Sequence, residues 1–274
     1  MKKALSIAGS DCSGGAGIQA DIKTFSAHGV FGMTVVTSVV AENTFRVIEY
    51  QDIRTDIINK QIDAVFEDIP PDAVKVGMLS CSETMLTVAQ KLREWKPLNV
   101  VIDPVMYAKN GCALMDPSAI NTLISHIVPL ADIVTPNIPE AEKITNLSIQ
   151  TLEDMKQAAR HIHAMGCRAV VIKGGHSTGD AIDVLFDGSN FYEYKAPRIN
   201  TEHTHGTGCT FSSAIASNLA LGLTVCKAVE LAKEYIHTAI VHAPKIGKGN
   251  GPTHHFYELY NAVNCAKKGK CKCV

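Results

Sequence analysis

The sequence predicts an α/β domain with a mostly parallel central sheet and helices on both faces. Short apolar or β-branched runs alternate with amphipathic stretches along most of the chain. The hydrophobic content of 46% over 274 residues is enough for one full core. Strands that alternate with helices pair in parallel, and a parallel sheet is covered on both sides.

The predicted elements follow in order along the chain. Apolar runs predict strands at 4–8, 34–41, 73–79, 99–106, 132–136 and 168–175. Amphipathic spacing predicts helices at 16–29, 55–67, 82–95, 118–127 and 151–165. After residue 180, AIDVLF and NFYEYKA flank the turn DGSN and predict a hairpin that extends the sheet. Helices over about 207–222 and 225–241, and a last one after GPTHH, complete a single domain over 1–264.

Charge and cysteine usage narrow the class of partner. Twenty-six basic and 27 acidic residues leave a net charge of −1, so neither nucleic acid nor an anionic membrane is an expected partner. No apolar run approaches the roughly 18 residues of a membrane span. Nine cysteines are scattered mostly singly, which is typical of free thiols in a reducing cytoplasm. We expect a cytoplasmic protein that binds a small molecule.

The last ten residues, 265–274, differ from the rest. Cys265, Cys271 and Cys273 lie among lysines there. The final four residues have the spacing of a prenylation box, but Lys272 stands where an aliphatic residue is expected, and C-x-C alone is a poor metal signature. We therefore predict a disordered basic tail outside the domain.

The ends of the apolar runs predict the position of the site. The runs close with GSD, AEN, GML, DPVM, TPN and KGGH. In open parallel sheets the ligand crevice lies at the carboxyl ends of the strands, so these endings should meet on one rim. Glu42 and Asp103 are carboxylates on that rim. Lys173 could reach a phosphate there or remain solvated.

Gly206, Thr207, Gly208 and Cys209 precede a helical run of small and apolar residues. Two glycines allow positive φ and direct successive N–H groups to one point, which predicts an anion hole at the helix N-terminus. A cysteine there would have its thiolate favoured. The alternative is an ordinary turn with a small core residue. Zinc binding by His203, His205 and Cys209 lacks a fourth ligand nearby.

The stretch GSDCSGGAGIQAD, residues 9–21, matches the dinucleotide pattern at Gly15, Gly17 and Ala20. The loop after the strand is too long for that fingerprint, so the match is weak. Asp21 lies on the helical stripe that faces the sheet, where it needs a hydrogen-bond partner from a ligand or a neighbouring loop. In TPNIPEAE, Asn137 could bind a ligand or cap the next helix.

Together these stretches resemble the hydroxymethylpyrimidine and phosphomethylpyrimidine kinases of thiamine biosynthesis, in the ribokinase-like superfamily. The resemblance runs from residue 4 to 257 and is carried by GSDCSGGAGIQADIKTFSAHGVFGM, KVGML, DPVM, TPNIPEAE, VIKGGH, THGTGCTFSSAIA and GNGPTHHF. It implies a three-layer α/β/α fold. It also implies transfer of the γ-phosphoryl group of MgATP to the 5-hydroxymethyl of an aminopyrimidine, and then to the resulting monophosphate.

The resemblance also implies residue roles and a homodimer. The segment Gly206–Thr207–Gly208 would form the anion hole, and Cys209 would be the base, where sugar kinases carry aspartate. The pyrimidine pocket would include Gly9, Asp21, Val40, Glu42, Met78 and Met106. Nucleotide contacts would come from Asn137, Lys173, Thr207 and Lys233, and Mg²⁺ would be held by Asp103, Asn137 and Glu140, partly through water. Many members carry glutamine at the place of Glu42, and a carboxylate donates a hydrogen bond only when it is protonated.

Two other functions remain open at this stage. Pyridoxal or pyridoxine kinases phosphorylate a similar hydroxymethyl group, although the AENT stretch at 41–44 favours the pyrimidine enzymes. A dinucleotide-dependent oxidoreductase rests only on the glycine pattern in residues 9–21.

Overall fold

The computed structural model describes residues 1–108, 111–175 and 179–267. Across these residues the strands form one sheet in the order β3-β2-β1-β4-β5-β6-β7-β8-β9. The strands are β1 (Lys3–Asp11), β2 (Phe31–Glu42), β3 (Val47–Asp52), β4 (Ala73–Val76), β5 (Val100–Ile102), β6 (Ile133–Val134), β7 (Ala169–Ile172), β8 (Ala181–Phe186) and β9 (Phe191–Ala196). The run from β2 to β7 is parallel, and β3, β8 and β9 join antiparallel.

Helices cover both faces of this sheet. They are α1 (Gly17–Ala27), α2 (Thr55–Asp68), α3 (Ser82–Trp95), α4 (Ile120–Thr122), α5 (Ile138–Thr145), α6 (Leu152–His163), α7 (Thr207–Ala220), α8 (Val225–Val241) and α9 (Tyr257–Lys267). One core cluster joins the sheet to α1, α7 and α8, and the other joins it to α2 through α6. The predicted three-layer α/β/α class with a mostly parallel sheet is confirmed.

The period of two along each strand creates the two cores. On β5, Val100 and Ile102 enter one cluster, whereas Val101 between them enters the other. The same alternation places Val170 and Ile172 of β7 opposite Val171. Every one of these side chains is buried, so continuous apolar runs are the expected signature of the central strands.

The structure differs from the sequence prediction in several elements. The edge strand β3 was not predicted, because its mostly exposed residues carry little apolar pattern. The predicted strand 99–106 ends at Ile102, and 3₁₀ and π turns extend α4 over residues 117–130 in place of one regular helix.

At the end of the chain, α9 continues to Lys267 and includes Cys265, so the predicted boundary at 264 falls inside a helix. Cys271 and Cys273 lie outside the described residues. Within the described part of the chain, no helix combines the length and apolar character needed to cross a membrane.

Candidate active site

A cavity of about 570 Å³ opens at the carboxyl ends of the central strands. The endings AEN, DPVM, TPN and KGG contribute Glu42, Asp103, Asn137 and Lys173 to its wall, as predicted for the rim. GSD borders the cavity through Asp11, which bonds to the lining residue His205. The GML ending does not reach the wall, and His176 of KGGH lies outside the described residues.

The N-terminus of α7 points into this cavity. Gly206 is the N-cap residue with φ +75°, and no side chain caps the helix. The first amides of a helix have no intrahelical acceptor and carry the positive end of its dipole. Residues 206–209 all line the cavity, so this segment can bind an anion. Glycine is required at 206, since a Cβ there would collide with the carbonyl oxygen of Gly15.

A lysine–aspartate pair lies beside that helix end. Lys173 Nζ is 2.7 Å from Asp103 Oδ1, and the two side chains are 15% and 2% exposed. A Cβ added to Gly208 would lie 3.2 Å from Asp103 Oδ2 and 3.4 Å from Lys173 Nζ. Burial opposes the ammonium charge, but Asp103 and Glu140 raise the pKa of Lys173. The pair therefore presents both charges to a group bound at the helix end.

Asn137 and Glu140 form a capping box at the start of α5. Asn137 Oδ1 accepts from the Glu140 amide at 2.9 Å, and Glu140 Oε2 accepts from the Asn137 amide at 2.8 Å. The capping interpretation of Asn137 is confirmed. Burial raises the pKa of Glu140 to about 7 against the effect of Lys173.

The oxygen donors at this end of the cavity fit Mg²⁺. Asp103, Asn137 and Glu140 all line the wall. Mg²⁺ keeps several waters and takes only one or two carboxylates from a protein. Because the Asn137 and Glu140 side chains are already engaged in the cap, they would contact the ion through water, and Asp103 is the carboxylate that faces the helix end.

Cys209 is partly exposed at the cavity wall. Burial raises the pKa of its thiol to about 11, although Lys75 and the Gly17 amide act in the opposite direction. Asp21 and Asp103 add to the increase. The expectation of a favoured thiolate is therefore wrong, because burial and two carboxylates outweigh the Lys75 ammonium and the Gly17 amide.

Three ionisable groups meet on the other side of residues 206–209, which we call the anion-binding turn. Asp11, Glu42 and His205 each place one polar atom within 4.8 Å of the other two. Asp11 Oδ2 lies 2.8 Å from His205 Nε2. Burial and the neighbouring Asp11 charge raise the pKa of Glu42 to about 7. The sequence contained Asp11 in GSD, but the contact with His205 joins residues far apart in the chain.

Asp21 does not line the cavity, which corrects its assignment to the pyrimidine pocket. Its side chain is fully buried and forms an ion pair with Lys75 at 2.8 Å. Ser6 and Ser213 also donate hydrogen bonds to the carboxylate, so its acceptor oxygens are occupied within the protein. Sequence analysis missed Lys75, since a lysine within a short apolar strand gives no sign of its partner.

Four more residues predicted for the pyrimidine pocket lie behind the cavity wall. Val40 and Met78 are buried in a small apolar cluster with Leu114, which itself lines the cavity. Gly9 packs against Met78, where an added Cβ would be 3.1 Å from the sulfur. The Met106 side chain belongs to the core cluster that joins the sheet to α2 through α6. These residues shape the wall from behind, because their apolar groups pack against each other.

Lys233, which the sequence analysis expects to contact the nucleotide, lines the cavity on the side of Lys173, together with Asp183, which was missed. Lys233 Nζ lies 2.7 Å from Asp183 Oδ2, and Asp183 Oδ1 accepts from the Gly174 amide. Arg198 also lines the cavity and donates to the carbonyls of Gly175 and Gly179. Two cations at this end suit a polyphosphate.

The fold and the site define a phosphotransferase. An uncapped helix end, a lysine–aspartate pair that faces the cavity and a carboxylate-bearing pocket converge at the carboxyl ends of a parallel sheet. The family model described as phosphomethylpyrimidine kinase matches residues 11–254, and the chain belongs to that family.

Individual relatives agree with this assignment. The hydroxymethylpyrimidine/phosphomethylpyrimidine kinase of Bacillus subtilis is 45% identical over 267 residues, which cover 97% of this chain and 98% of that protein. The thiamine biosynthesis bifunctional protein ThiED of Geobacter sulfurreducens is 48% identical over 252 residues, 92% of this chain. The chain spans about half of that protein, as the match covers 51% of its length.

Solved structures give the same architecture. An ADP complex of Bacillus subtilis pyridoxal kinase has a TM-score of 0.89 at 41% identity, covering 94% of this chain and 99% of that one. The phosphomethylpyrimidine kinase of Clostridium difficile 630 has a TM-score of 0.80 at 49% identity, covering 88% and 100%. Both relatives are kinases.

The glycine-rich loop, residues 12–16, does not make the chain a dinucleotide-dependent oxidoreductase. Its amides at Ser13, Gly15 and Ala16 are bonded to Asp11, not free for a pyrophosphate.

Proposed function

We propose that the protein transfers the γ-phosphoryl group of ATP to the 5-hydroxymethyl of 4-amino-5-hydroxymethyl-2-methylpyrimidine and then to its monophosphate, in thiamine biosynthesis. The uncapped start of α7, beside Lys173 and Asp103, carries the proposal. Phosphoryl transfer depends mainly on positioning and on stabilising charge on the equatorial oxygens, and this corner supplies both. The named relatives support the choice of pyrimidine.

The reaction makes one bond and breaks one. The hydroxymethyl oxygen attacks the γ-phosphorus, the bond to the β,γ-bridging oxygen breaks, and ADP leaves. The segment Gly206–Thr207–Gly208 would hold the transferred group through the amides of Gly206 and Gly208, because the Thr207 amide donates to the Thr204 carbonyl at 3.3 Å. Cys209 would accept the hydroxyl proton. Because its pKa is raised to about 11, few molecules carry the thiolate at neutral pH, and turnover should rise with pH.

The nucleotide and its metal ion would occupy the end of the cavity nearest Lys173 and Lys233. The ADP complex of the pyridoxal kinase relative supports ATP as co-substrate. Mg²⁺, when bound, would neutralise phosphate charge, with Asp103, Asn137 and Glu140 holding it partly through water. Lys173 would contact the phosphoryl group directly, and Lys233 would lie near the nucleotide with Asp183 as its partner.

Glu42 would recognise the aminopyrimidine. Its carboxyl has a pKa raised to about 7 by burial and by Asp11, so below that pH it carries a proton. A protonated carboxyl can accept from the exocyclic amino group and donate to a ring nitrogen, as a glutamine side chain also can. Apolar residues such as Leu114, backed by Val40 and Met78, would pack on the ring.

The alternative function is pyridoxal or pyridoxine kinase, favoured by the fold match to the Bacillus enzyme. A coupled ADP-release assay with the pyrimidine, its monophosphate, pyridoxal and pyridoxine separates the two. We expect kcat/KM for the pyrimidine to exceed that for pyridoxal at least tenfold, or about 1.4 kcal/mol. The reverse order would replace the proposal with the alternative.

We further propose a cytoplasmic homodimer. Free thiols at all cysteines that the structure describes support a reducing compartment. The exposed side chains of Phe45, Ile48 and Tyr50, on and beside the edge strand β3, support a self-association surface. Sedimentation velocity of the wild type and of Ile48→Lys tests it, with a shift to monomer expected in the variant.

A further inference from the structure

Asp11, the last residue of β1, is a hydrogen-bond hub that the proposed chemistry does not use. The residue is 2% exposed. Its Oδ2 atom accepts from the amides of Gly15 at 2.9 Å and Ala16 at 2.7 Å, and also pairs with His205 Nε2 at 2.8 Å. Its Oδ1 atom accepts from the Ser13 amide at 2.7 Å. One carboxylate therefore binds both the glycine-rich loop, residues 12–16, and the residue that precedes Gly206.

The loop and the anion-binding turn also pack without space between them. A Cβ at Gly15 would collide with the His205 ring, and a Cβ at Gly206 would collide with the Gly15 carbonyl oxygen. The His205 amide donates to the Gly251 carbonyl at 3.0 Å, which fixes the other side of the turn. A displacement of the loop therefore displaces the turn.

We propose that Asp11 is a positioning residue for phosphoryl transfer: through His205 and the glycine-rich loop, it fixes the direction of the amides at the start of α7. The inference rests on the proposed function, because it assigns those amides to the transferred group. Asp11 itself is not among the residues that line the cavity. Its effect passes through the turn at Gly206. We therefore expect Asp11 to influence the transition state of phosphoryl transfer more than the binding of nucleotide.

The charges around His205 support an ionic clamp. Hydrogen bonds from His205 and Ser13 lower the pKa of Asp11 despite its burial. Burial lowers the pKa of His205, but Asp11 from β1 and Glu42 from β2 raise it overall. From α1, Lys23 Nζ donates to the Gly14 carbonyl in the same loop at 2.7 Å. Replacing the Asp11 carboxylate by an amide should therefore lower the His205 pKa and loosen the turn.

The test compares Asp11→Asn with the wild type by calorimetric titration. ADP, Mg²⁺ and the pyrimidine are present in both, with and without aluminium fluoride, which mimics the transferred phosphoryl group. We expect Asp11→Asn to bind ADP with an affinity within about threefold of the wild type. Aluminium fluoride should increase the affinity for ADP, and this increase, the aluminium fluoride gain, should be at least tenfold smaller in the variant. NMR titration of the His205 ring should show a lower pKa in the variant.

Asp132→Asn is the matched control. Asp132 accepts from the Val100 amide and pairs with Arg168 outside the cavity, so its loss should lower stability but leave the aluminium fluoride gain unchanged. Equal gains in the wild type and Asp11→Asn would overturn the inference alone. No gain in the wild type would overturn the proposed anion hole and the inference with it. If Asp11→Asn does not fold, His205→Asn removes the other partner of the same bond. Its aluminium fluoride gain is then compared with that of the wild type in the same way.

Discussion

Two of the lysine–aspartate pairs in this fold serve different functions. Lys75 and Asp21 are 2.8 Å apart and fully buried. Lys173 and Asp103 are 2.7 Å apart, and their pair opens on the cavity. The spacing of the charges is nearly the same, so the ion pair alone does not distinguish a structural site from a functional one.

The difference lies in the remaining hydrogen-bonding capacity of each carboxylate. Ser6 and Ser213 donate to Asp21 at 2.5 and 2.7 Å, which completes that pair inside the protein. Around Asp103, the Ser212 hydroxyl is as far as 3.5 Å from Oδ2, and that oxygen faces the start of α7. The closed pair, Lys75–Asp21, fixes α1 and α7 against the sheet, whereas the open pair, Lys173–Asp103, can bind a ligand.

Cys209 lies under the influence of both pairs, and its removal should have the largest effect. We expect Cys209→Ala to lower kcat by roughly 10²–10⁴, the range for a lost general base. In the wild type, kcat should rise with pH because the thiol has a pKa of about 11, and this rise should vanish in the variant. Cys226→Ala, at a partly buried cysteine of α8, is the control. Turnover within a factor of about three of the wild type would show that Cys209 is only part of the wall.

Breaking the closed pair should reduce stability. Lys75→Met leaves the Asp21 charge buried without its partner and should lower the free energy of unfolding by about 3–5 kcal/mol in urea titrations. The double variant Lys75→Met/Asp21→Asn should recover part of this loss, since it removes the unpaired charge. A single variant as stable as the wild type would contradict the assignment of a structural role.

Breaking the open pair should reduce activity instead. Lys173→Met should lower kcat/KM by about 10²–10³, or 2.7–4 kcal/mol, as for loss of one donor to the transferred group. Its free energy of unfolding should fall by less than that of Lys75→Met, because water in the cavity can reach the Asp103 carboxylate. Lys156→Met, which breaks a pair with Glu193 outside the cavity, controls for loss of a lysine. A stability loss like that of Lys75→Met would remove the distinction between the pairs.

A smaller effect is expected at Glu42, which has no lysine partner among its described contacts. Its pKa is raised to about 7, so the carboxyl is protonated below that pH and loses its donor as pH rises through 7. KM for the pyrimidine should therefore increase up to about tenfold, or 1.4 kcal/mol, between pH 6 and 8. Glu42→Gln keeps both a donor and an acceptor and should show a flat profile. If KM for the pyrimidine depends on pH in the same way in the wild type and in Glu42→Gln, steady-state assays would exclude this role of Glu42.

The smallest effect is expected far from both pairs. Deletion of residues 265–274 should leave kcat/KM within about twofold, since the cavity contains no residue of α9. An inactive truncation that still has the wild-type melting temperature would contradict the single-domain assignment of residues 1–264.

The comparison also shows how far sequence analysis reached. Apolar runs predicted the sheet, and their polar endings placed Glu42, Asp103, Asn137 and Lys173 on one rim, because strand period and chain direction are local properties. The assignment of Asp21 failed because its partner Lys75 is 54 residues away. Distant pairing also concealed the contact between Asp11 and His205. The expectation of a favoured thiolate at Cys209 failed because the burial of the thiol is not visible in a motif.

The bond between Asp11 and His205 joins positions 194 residues apart. During synthesis, the centre of the sheet can pair long before residue 205 leaves the ribosome, yet the nascent chain has no anion-binding turn until α7 packs on α1. A growing polypeptide of this sequence therefore lacks the cavity wall formed by residues 206–209 until most of it has been translated.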